Sequence, residues 1–172
     1  MKLFGKWQKA PPPPGEEAPF ASTEASTSRP SDSIGKGRKI LVVDDNQVVL
    51  KAFELKLQAC GFEVLTATEG AAAVSAARQT KPDLIVLDIN YPPDVGSSGL
   101  QWDGFTIMQW MGRFQEVANI PVIIITSGDA EKFKSKAAAA GAVDFFTKPI
   151  NFDQFLVSVH RAITQGKPPK TP

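Results

Sequence analysis

The stretch DLIVLD at residues 83–88 decides the fold. Its apolar run is flanked by two aspartates, a pattern typical of a strand that is buried on both faces of a parallel sheet. Two other runs have the same form: KILVV at 39–43 ends in a pair of acids, and VDFFT at 143–147 ends in a lysine and a proline. Each of these apolar runs is therefore followed at once by residues that can carry chemistry.

Strands and helices alternate along the chain from residue 40 onward. Apolar runs predict strands, and apolar residues at helical spacing predict helices, several of which are followed by a glycine. The predicted strands are 40–43, 63–68, 83–87, 122–125 and 143–146, and the predicted helices are 47–58, 70–79, 104–117, 129–140 and 152–163. Short connections and right-handed crossovers then favour an α/β fold, a doubly wound, five-stranded parallel sheet in (βα)5 order with helices on both faces.

The first 35 residues differ in composition from the rest of the chain. They contain a block of prolines at 11–14 and a stretch at 21–33 that is rich in serine, threonine, alanine and glutamate. Such a composition buries too little apolar surface to offset the entropy of ordering. We therefore predict a disordered Pro/Ser/Thr-rich tail at 1–35, a folded domain at 36–166 and a short disordered tail at 167–172.

A short apolar segment begins the chain. Leu3, Phe4 and Trp7 are interspersed with lysines and are compatible with one amphipathic turn. Such a turn would dock on a partner or touch an anionic membrane. The alternative is an unstructured start, because short amphipathic patches recur by chance.

Composition argues against several classes of protein. The formal net charge of +1 gives no electrostatic case for a nucleic-acid partner. A single cysteine, Cys60, rules out an internal disulfide framework and fits a reducing compartment. No apolar stretch reaches membrane-spanning length, and the N-terminus lacks a signal-peptide pattern. We therefore expect a cytoplasmic protein without stable membrane insertion.

The ends of the predicted strands carry the candidate site. In an open α/β fold the carboxyl ends of the strands meet at one edge, where ligands bind. The residues at these ends are Asp44, Asp45, Asp88, Thr126 and Lys148. Clustered carboxylates favour a divalent cation such as Mg²⁺, and a lysine beside them favours a phosphate.

Short motifs around these residues resemble those of a known family. They are VVDDN at 42–46, LDIN at 87–90, DGF at 103–105, PVIIITS at 121–127 and KP at 148–149. With them, the chain resembles the CheY-like receiver domain of response regulators in two-component signalling, over about residues 39–163. The resemblance implies the flavodoxin-like receiver fold and a phosphoacceptor function.

The resemblance also implies a role for each site residue. Asp88 would be the phosphoacceptor, whose carboxylate attacks a phosphoryl group and forms an acyl phosphate. Thr126 and Lys148 would contact the phosphoryl oxygens. The protein ligands of Mg²⁺ would be Asp44 (mainly through water), Asp45, Asp88 and the backbone carbonyl of Asn90.

The same family pattern implies a switch. Thr126 would move toward the phosphoryl group, and the aromatic ring of Phe145 would fill the space that it leaves. A cis peptide is expected before Pro149. The surface of the fourth helix, fifth strand and last helix would change, and it is also a possible homodimer face.

The sequence departs from the family pattern after Asp88. In the family an Asp-Gly pair usually follows the phosphoacceptor after a short loop. Here that pair is Asp103-Gly104, and an insertion at 91–102 separates it from Asp88. One interpretation is a surface insertion that the fold tolerates. The other is a functional loop that covers the site or recognises a partner protein. We expect Asn90 and Gly128, which lie two positions beyond Asp88 and Thr126, to tune the lifetime of the acyl phosphate.

The implied function is that of a phosphoacceptor response regulator in a two-component phosphorelay. The phosphoryl group would come from a sensor histidine kinase or a histidine phosphotransfer protein, and the switch would act on a downstream protein. We do not expect an enzyme beyond self-catalysed phosphotransfer and autodephosphorylation. No output domain is expected after Gly166, because few residues remain.

Three other interpretations compete with this one. The first is a binding or scaffold module of the same fold that acts without phosphorylation. The second is an aspartyl-phosphate phosphatase, which would need a second acid where Asn90 stands. The third is a phosphotransfer role for His160, but this residue falls beside the apolar stripe of the last helix, and we interpret it as an ordinary surface or partly packed residue.

Overall fold

The structure, a computed structural model, describes residues 35–90, 94–95, 101–128 and 130–167. Its strands are β1 (Lys39–Val43), β2 (Glu63–Ala67), β3 (Leu84–Asp88), β4 (Asp94–Val95), β5 (Gln101–Trp102), β6 (Val122–Thr126) and β7 (Asp144–Thr147). Within the described residues, five of them form one parallel sheet in the order β2-β1-β3-β6-β7. The order reverses between β1 and β3, which is the topological switch point of a doubly wound fold. The predicted α/β architecture is confirmed.

Helices cover both faces of the sheet. They are α1 (Gln47–Ala59), α2 (Gly70–Thr80), α3 (Gly104–Met111), α4 (Ala130–Ala139) and α5 (Phe152–Gln165). Because successive strand residues point to opposite faces, each strand contributes side chains to two hydrophobic cores, one on each face of the sheet. Leu41 and Ile85 pack with residues of α2, α3 and α4, whereas Ile40 and Val86 pack with residues of α1 and α5. Burial on both faces explains why the strands are continuous apolar runs.

Polar caps fix where the helices near the site begin. Asn46, Asp103 and Asn151 precede α1, α3 and α5, and each side chain accepts a backbone N–H of the first helical turn. A cap of this kind satisfies an N–H that has no partner within the helix. The caps of α1 and α3 hold the chain at the edge of the sheet where β1 and β3 end.

The third helix is shorter than its apolar spacing predicts. A helix at 104–117 was expected, but α3 ends at Met111. Gly112 follows, and glycine is the poorest helix former after proline. The chain then continues in tight turns, in which Phe114 donates its N–H to the Met111 carbonyl at 3.2 Å. Phe114 and Val117 still pack against the core, so their spacing imitates a longer helix.

Part of the chain lies outside the described residues. The predicted tails fall there at 1–34 and 168–172, as does most of the insertion at 91–102. The described part of the insertion is an antiparallel ribbon of β4 and β5, in which Asp94 pairs with Trp102. No helix in the described part of the chain is long and apolar enough to cross a membrane.

Candidate functional site

The carboxyl ends of β1, β3, β6 and β7 meet at one edge of the sheet and bring the predicted site residues together. The parallel register pairs Asp88 with Ile125, and it pairs Thr126 with the last residue of β7. Asp44, Asp88 and Thr126 are buried, with 0%, 2% and 0% of their surfaces exposed. Asp45 is exposed and Lys148 is partly buried, so the pocket opens to solvent on their side.

Lys148 joins two of the acids. Its Nζ lies 2.6 Å from Asp44 Oδ2 and 2.6 Å from Asp88 Oδ2. The backbone N–H of Lys148 donates to the carbonyl of Thr126 at 2.7 Å, which anchors the end of β7 to the end of β6. The Lys148–Pro149 peptide is cis. The single ammonium group therefore balances one of two buried negative charges.

Burial and pairing shift the pKa values of this ion pair. Burial raises the pKa of the Asp44 carboxyl, although the hydrogen bond from Lys148 acts in the opposite direction. Burial also lowers the pKa of the Lys148 ammonium, but hydrogen bonds to Asp44 and Asp88 outweigh it, and the net pKa is raised. The proton therefore stays on Lys148, and the ionised form of Asp44 is costly in this pocket.

Both buried acids are also held by their own loops. Asp44 Oδ1 accepts the N–H of Asn46 at 2.9 Å, and Asp88 Oδ1 accepts the N–H of Asn90 at 2.8 Å. Each carboxylate thus has one oxygen on the backbone and the other on Lys148. These two hydrogen bonds fix the orientation of both Asp88 oxygens.

The acids fit a divalent cation. Asp44, Asp45 and Asp88 each bring one carboxylate oxygen within 4.8 Å of the others. Carboxylate oxygens are preferred ligands of Mg²⁺, which keeps several waters and needs few protein ligands. A dication would also offset the charge that Lys148 leaves unbalanced. These three acids are the groups that would hold it.

The predicted switch residues lie on the last two strands of the sheet. Thr126 ends β6, and its Oγ1 accepts the N–H of Gly128 at 3.0 Å. Phe145 on β7 is opposite Ile124 in the register, is partly buried and packs against the core on the α2, α3 and α4 face. Thr126 thus lies in the pocket, whereas Phe145 lies on the neighbouring strand, two residues before the partner of Thr126.

An apolar patch near the pocket was missed by the sequence reasoning. Val48 and Leu55 on α1 are 78% and 57% exposed. Next to them, Ala52, Phe53 and Phe152, among others, line a hollow of about 240 Å³ that reaches Lys148. The sequence contained a signal for this patch. Val48 and Leu55 are seven positions apart and therefore lie on one face of α1, outside the stripe of residues that faces the core.

The site and fold agree with a comparison with protein families. The family model described as the response regulator receiver domain matches residues 40–160. The chain therefore belongs to the response regulator receiver domain family. Receiver domains are the signalling phosphoacceptors of two-component systems, and the family typically binds Mg²⁺ at an acidic pocket and interacts with kinases, phosphotransfer proteins and downstream targets.

Individual relatives have the same domain in different contexts. Protein PilH of Pseudomonas aeruginosa is 34% identical over 125 residues, which are 73% of this chain and 97% of PilH. The transcriptional regulatory protein KdpE of Mycobacterium tuberculosis is 32% identical over 74% of this chain, which spans only about half of KdpE (51%). The chemotaxis protein CheY4 of Vibrio cholerae has a similar structure, with a TM-score of 0.64 and 27% identity over 72% of this chain and 97% of CheY4.

Proposed function

We propose that the chain is a phosphoacceptor response regulator in a two-component phosphorelay, with residues 36–166 as its receiver domain and Asp88 as the phosphoacceptor. One observation carries the proposal. The buried Asp88 carboxylate is held by Lys148 at 2.6 Å and by the N–H of Asn90 at 2.8 Å, beside two further acids. This environment combines a fixed oxygen nucleophile with groups that suit a phosphate and a cation.

The donor is a phosphohistidine of a sensor histidine kinase or a histidine phosphotransfer protein. An Asp88 oxygen attacks the phosphorus, the P–N bond breaks, and the imidazole leaves with the electron pair of that bond. The product is an acyl phosphate on Asp88. Lys148 then pairs with a phosphoryl oxygen in place of the carboxylate oxygen, and the hydroxyl of Thr126 donates to another.

Asp44, Asp45, Asp88 and the Asn90 backbone carbonyl would hold Mg²⁺, which would neutralise the negative charge that the acids and the phosphoryl oxygens share. The chain's own residues do the rest. Lys148 stays protonated because Asp44 and Asp88 accept its hydrogen bonds. The backbone N–H of Asn90 orients the nucleophile, and the burial of Asp88 restricts the access of water to the acyl phosphate.

Phosphorylation switches protein contacts through Thr126 and Phe145. The hydroxyl of Thr126 leaves its contact with Gly128 to reach the phosphoryl group, and the partly buried ring of Phe145 takes up the space. The affected surface is that of α4, β7 and α5, which is where a downstream protein or a second copy of this chain binds. A dianion with several hydrogen-bond acceptors is enough to bias such a two-state element.

The donor protein docks on the apolar patch beside the pocket. Val48 and Leu55 present exposed apolar side chains there, and the hollow next to them extends to Lys148. An apolar contact surface beside the nucleophile brings the phosphohistidine and Asp88 together. The reaction takes place in the cytoplasm.

An assay by intact mass tests the phosphoacceptor. The protein is incubated with Mg²⁺ and acetyl phosphate, and one added phosphoryl group is expected. Asp88→Asn removes the nucleophile and should prevent the addition, as should EDTA. Asp153→Asn is the matched control, because Asp153 is an exposed acid in the first turn of α5, and it should be phosphorylated like the wild type.

Other outcomes would favour other functions. An unchanged mass with several small donors and with a candidate kinase would favour a scaffold module that acts without phosphorylation. Steady turnover of phosphate esters would favour a phosphatase. Addition that persists in Asp88→Asn would place the phosphoacceptor elsewhere.

A further inference from the structure

The side chain of Asn90 joins the phosphoacceptor loop to the loop that follows β6. In its hydrogen-bonded orientation, the amide oxygen accepts the N–H of Gly128 at 2.9 Å and that of Ser127 at 3.2 Å. Thr126 Oγ1 lies 3.2 Å from the amide oxygen, to which its hydroxyl donates, and 3.2 Å from the amide nitrogen. Thr126 Oγ1 also accepts the N–H of Gly128 at 3.0 Å. One side chain thus contacts three successive residues of the loop that carries the switch threonine.

Glycine at position 128 leaves the room that this contact needs. A Cβ atom there would lie 3.2 and 3.3 Å from the two terminal atoms of the Asn90 amide. On its other side it would lie 3.0 Å from Cε2 of Phe133. Phe133 belongs to α4, and its ring lies 6.3 Å from the ring of Phe105 on α3. A side chain at 128 would therefore fit only if Asn90 or Phe133 shifted by a few tenths of an ångström.

We propose that Asn90 is a positioning residue that holds residues 126–128 in their unphosphorylated arrangement. The inference rests on the proposed function and deepens it. To donate to a phosphoryl oxygen on Asp88, the Thr126 hydroxyl must give up the hydrogen bond that it donates to the Asn90 amide oxygen. The contacts made by Asn90 therefore stabilise the resting arrangement. A group that stabilises only one of two states shifts their populations.

The size of the shift follows from the hydrogen bonds involved. One neutral hydrogen bond, lost without replacement, is worth about a three- to tenfold change in an equilibrium constant. The Asn90→Ala variant should therefore adopt the phosphorylated arrangement more easily, and should bind a phosphoryl mimic about three- to tenfold more tightly. Gly128→Ala should act in the same direction, because its Cβ displaces the Asn90 amide.

The test titrates beryllofluoride, a non-covalent phosphoryl mimic, into the protein with Mg²⁺ and follows the backbone amide resonances of Ser127 and Gly128. Asn90→Ala should lower the dissociation constant, and without the mimic it should speed hydrogen exchange at both amides. The two substitutions combined should have less than the sum of their separate effects, because they remove the same contact. Asn119→Ala is the control, an equal truncation of an exposed residue just before β6, at the opposite edge of the sheet.

Two results would overturn the inference. The first is a beryllofluoride dissociation constant for Asn90→Ala that is within twofold of the wild-type value or higher than it. This result would overturn the inference regardless of the hydrogen-exchange rates at Ser127 and Gly128. Wild-type protein that binds no beryllofluoride in Mg²⁺ would overturn the proposed function and this inference together. Normal wild-type binding with an unchanged constant for Asn90→Ala would overturn this inference alone.

Discussion

Gly104 packs directly against the backbone of Asp88. A Cβ atom at position 104 would lie 2.7 Å from the Asp88 carbonyl oxygen and 2.7 Å from Cα of the next residue, Ile89. Contacts this short with backbone atoms cannot be relieved by a rotamer change. The residue that begins α3 thus lies against the residue that ends β3, although the insertion separates them in the sequence.

Gly104→Ala is therefore expected to destabilise the fold and to disturb the phosphoacceptor loop. Overpacking of this kind costs about 1–3 kcal/mol. The free energy of unfolding from urea denaturation should fall by that amount, and the rate of phosphorylation by acetyl phosphate should fall with it.

Gly112→Ala is the matched control, because its Cβ would lie 3.4 Å from its nearest neighbours and its backbone is already helical. That control should be neutral or more stable by up to about 1 kcal/mol. Equal losses in both variants would argue against a steric cause at 104.

Lys148→Ala should make the protein depend on Mg²⁺ for stability. Without Lys148, the buried carboxylates of Asp44 and Asp88 lose their charge partner, which costs roughly 3 kcal/mol. A dication should then restore more stability to the variant than to the wild type, because the pocket carries one more net negative charge. Thermal unfolding in EDTA and in Mg²⁺ measures both effects.

Lys39→Ala controls for the loss of a positive charge. Lys39 begins β1 at the opposite edge of the sheet, and its Nζ lies 3.9 Å from a Glu63 carboxylate oxygen, a surface pair of little energetic value. Its response to Mg²⁺ should match that of the wild type. A Lys148→Ala variant that gained no more stability from Mg²⁺ than this control would contradict the pairing of Lys148 with the two buried acids.

The sequence predicted the fold well because the decisive signals were local. Strands buried on both faces are continuous apolar runs, and the sequence of residues 83–88 predicts both the strand and the acid that ends it. The end of α3 was not predictable in this way, since Phe114 keeps helical spacing while it packs through a turn. Spacing reports which residues face the core and does not report the backbone that brings them there.

Some contacts of the candidate site were likewise predictable from the sequence, and others were not. Asp44, Asp88 and Lys148 were predicted to meet because parallel strands present their carboxyl ends at one edge. The amide contact of Asn90 with the loop after Thr126 was not predicted, because it depends on the distance between two loops and on the missing side chain of Gly128. Contacts of that kind follow from packing alone.

Phe155→Ala should cause the largest loss of stability among these variants. Phe155 on α5 is fully buried, and its ring lies 5.4 Å from that of Phe53 on α1 and 5.6 Å from that of Phe146 on β7. Truncating such a residue leaves a cavity and costs about 3–5 kcal/mol. Val157→Ala on the same helix is the control, because this side chain is 69% exposed and its loss should cost no more than about 0.5 kcal/mol. Urea denaturation should separate the two variants, and similar midpoints would contradict the assignment of Phe155 to the core.

The insertion after Asp88 is expected to influence phosphotransfer. Val95 pairs with Gln101 across the ribbon of β4 and β5, so residues 96–100 can be replaced by Asn-Gly, which favours a two-residue hairpin turn. This shorter loop leaves the site residues and the contact between Gly104 and Asp88 in place. A long loop beside a site is where partner recognition is often found.

We therefore expect the shortened variant to keep wild-type stability while the rate of phosphotransfer from a protein donor, or the lifetime of the acyl phosphate, changes. Both rates are measured by intact mass over time, with acetyl phosphate as the donor that needs no docking. Phosphorylation by acetyl phosphate at the wild-type rate, together with slower transfer from the protein donor, would assign the loop to partner recognition. A changed lifetime alone would assign it to the access of water to Asp88. If neither rate moved, the insertion would be a surface elaboration without a part in the reaction.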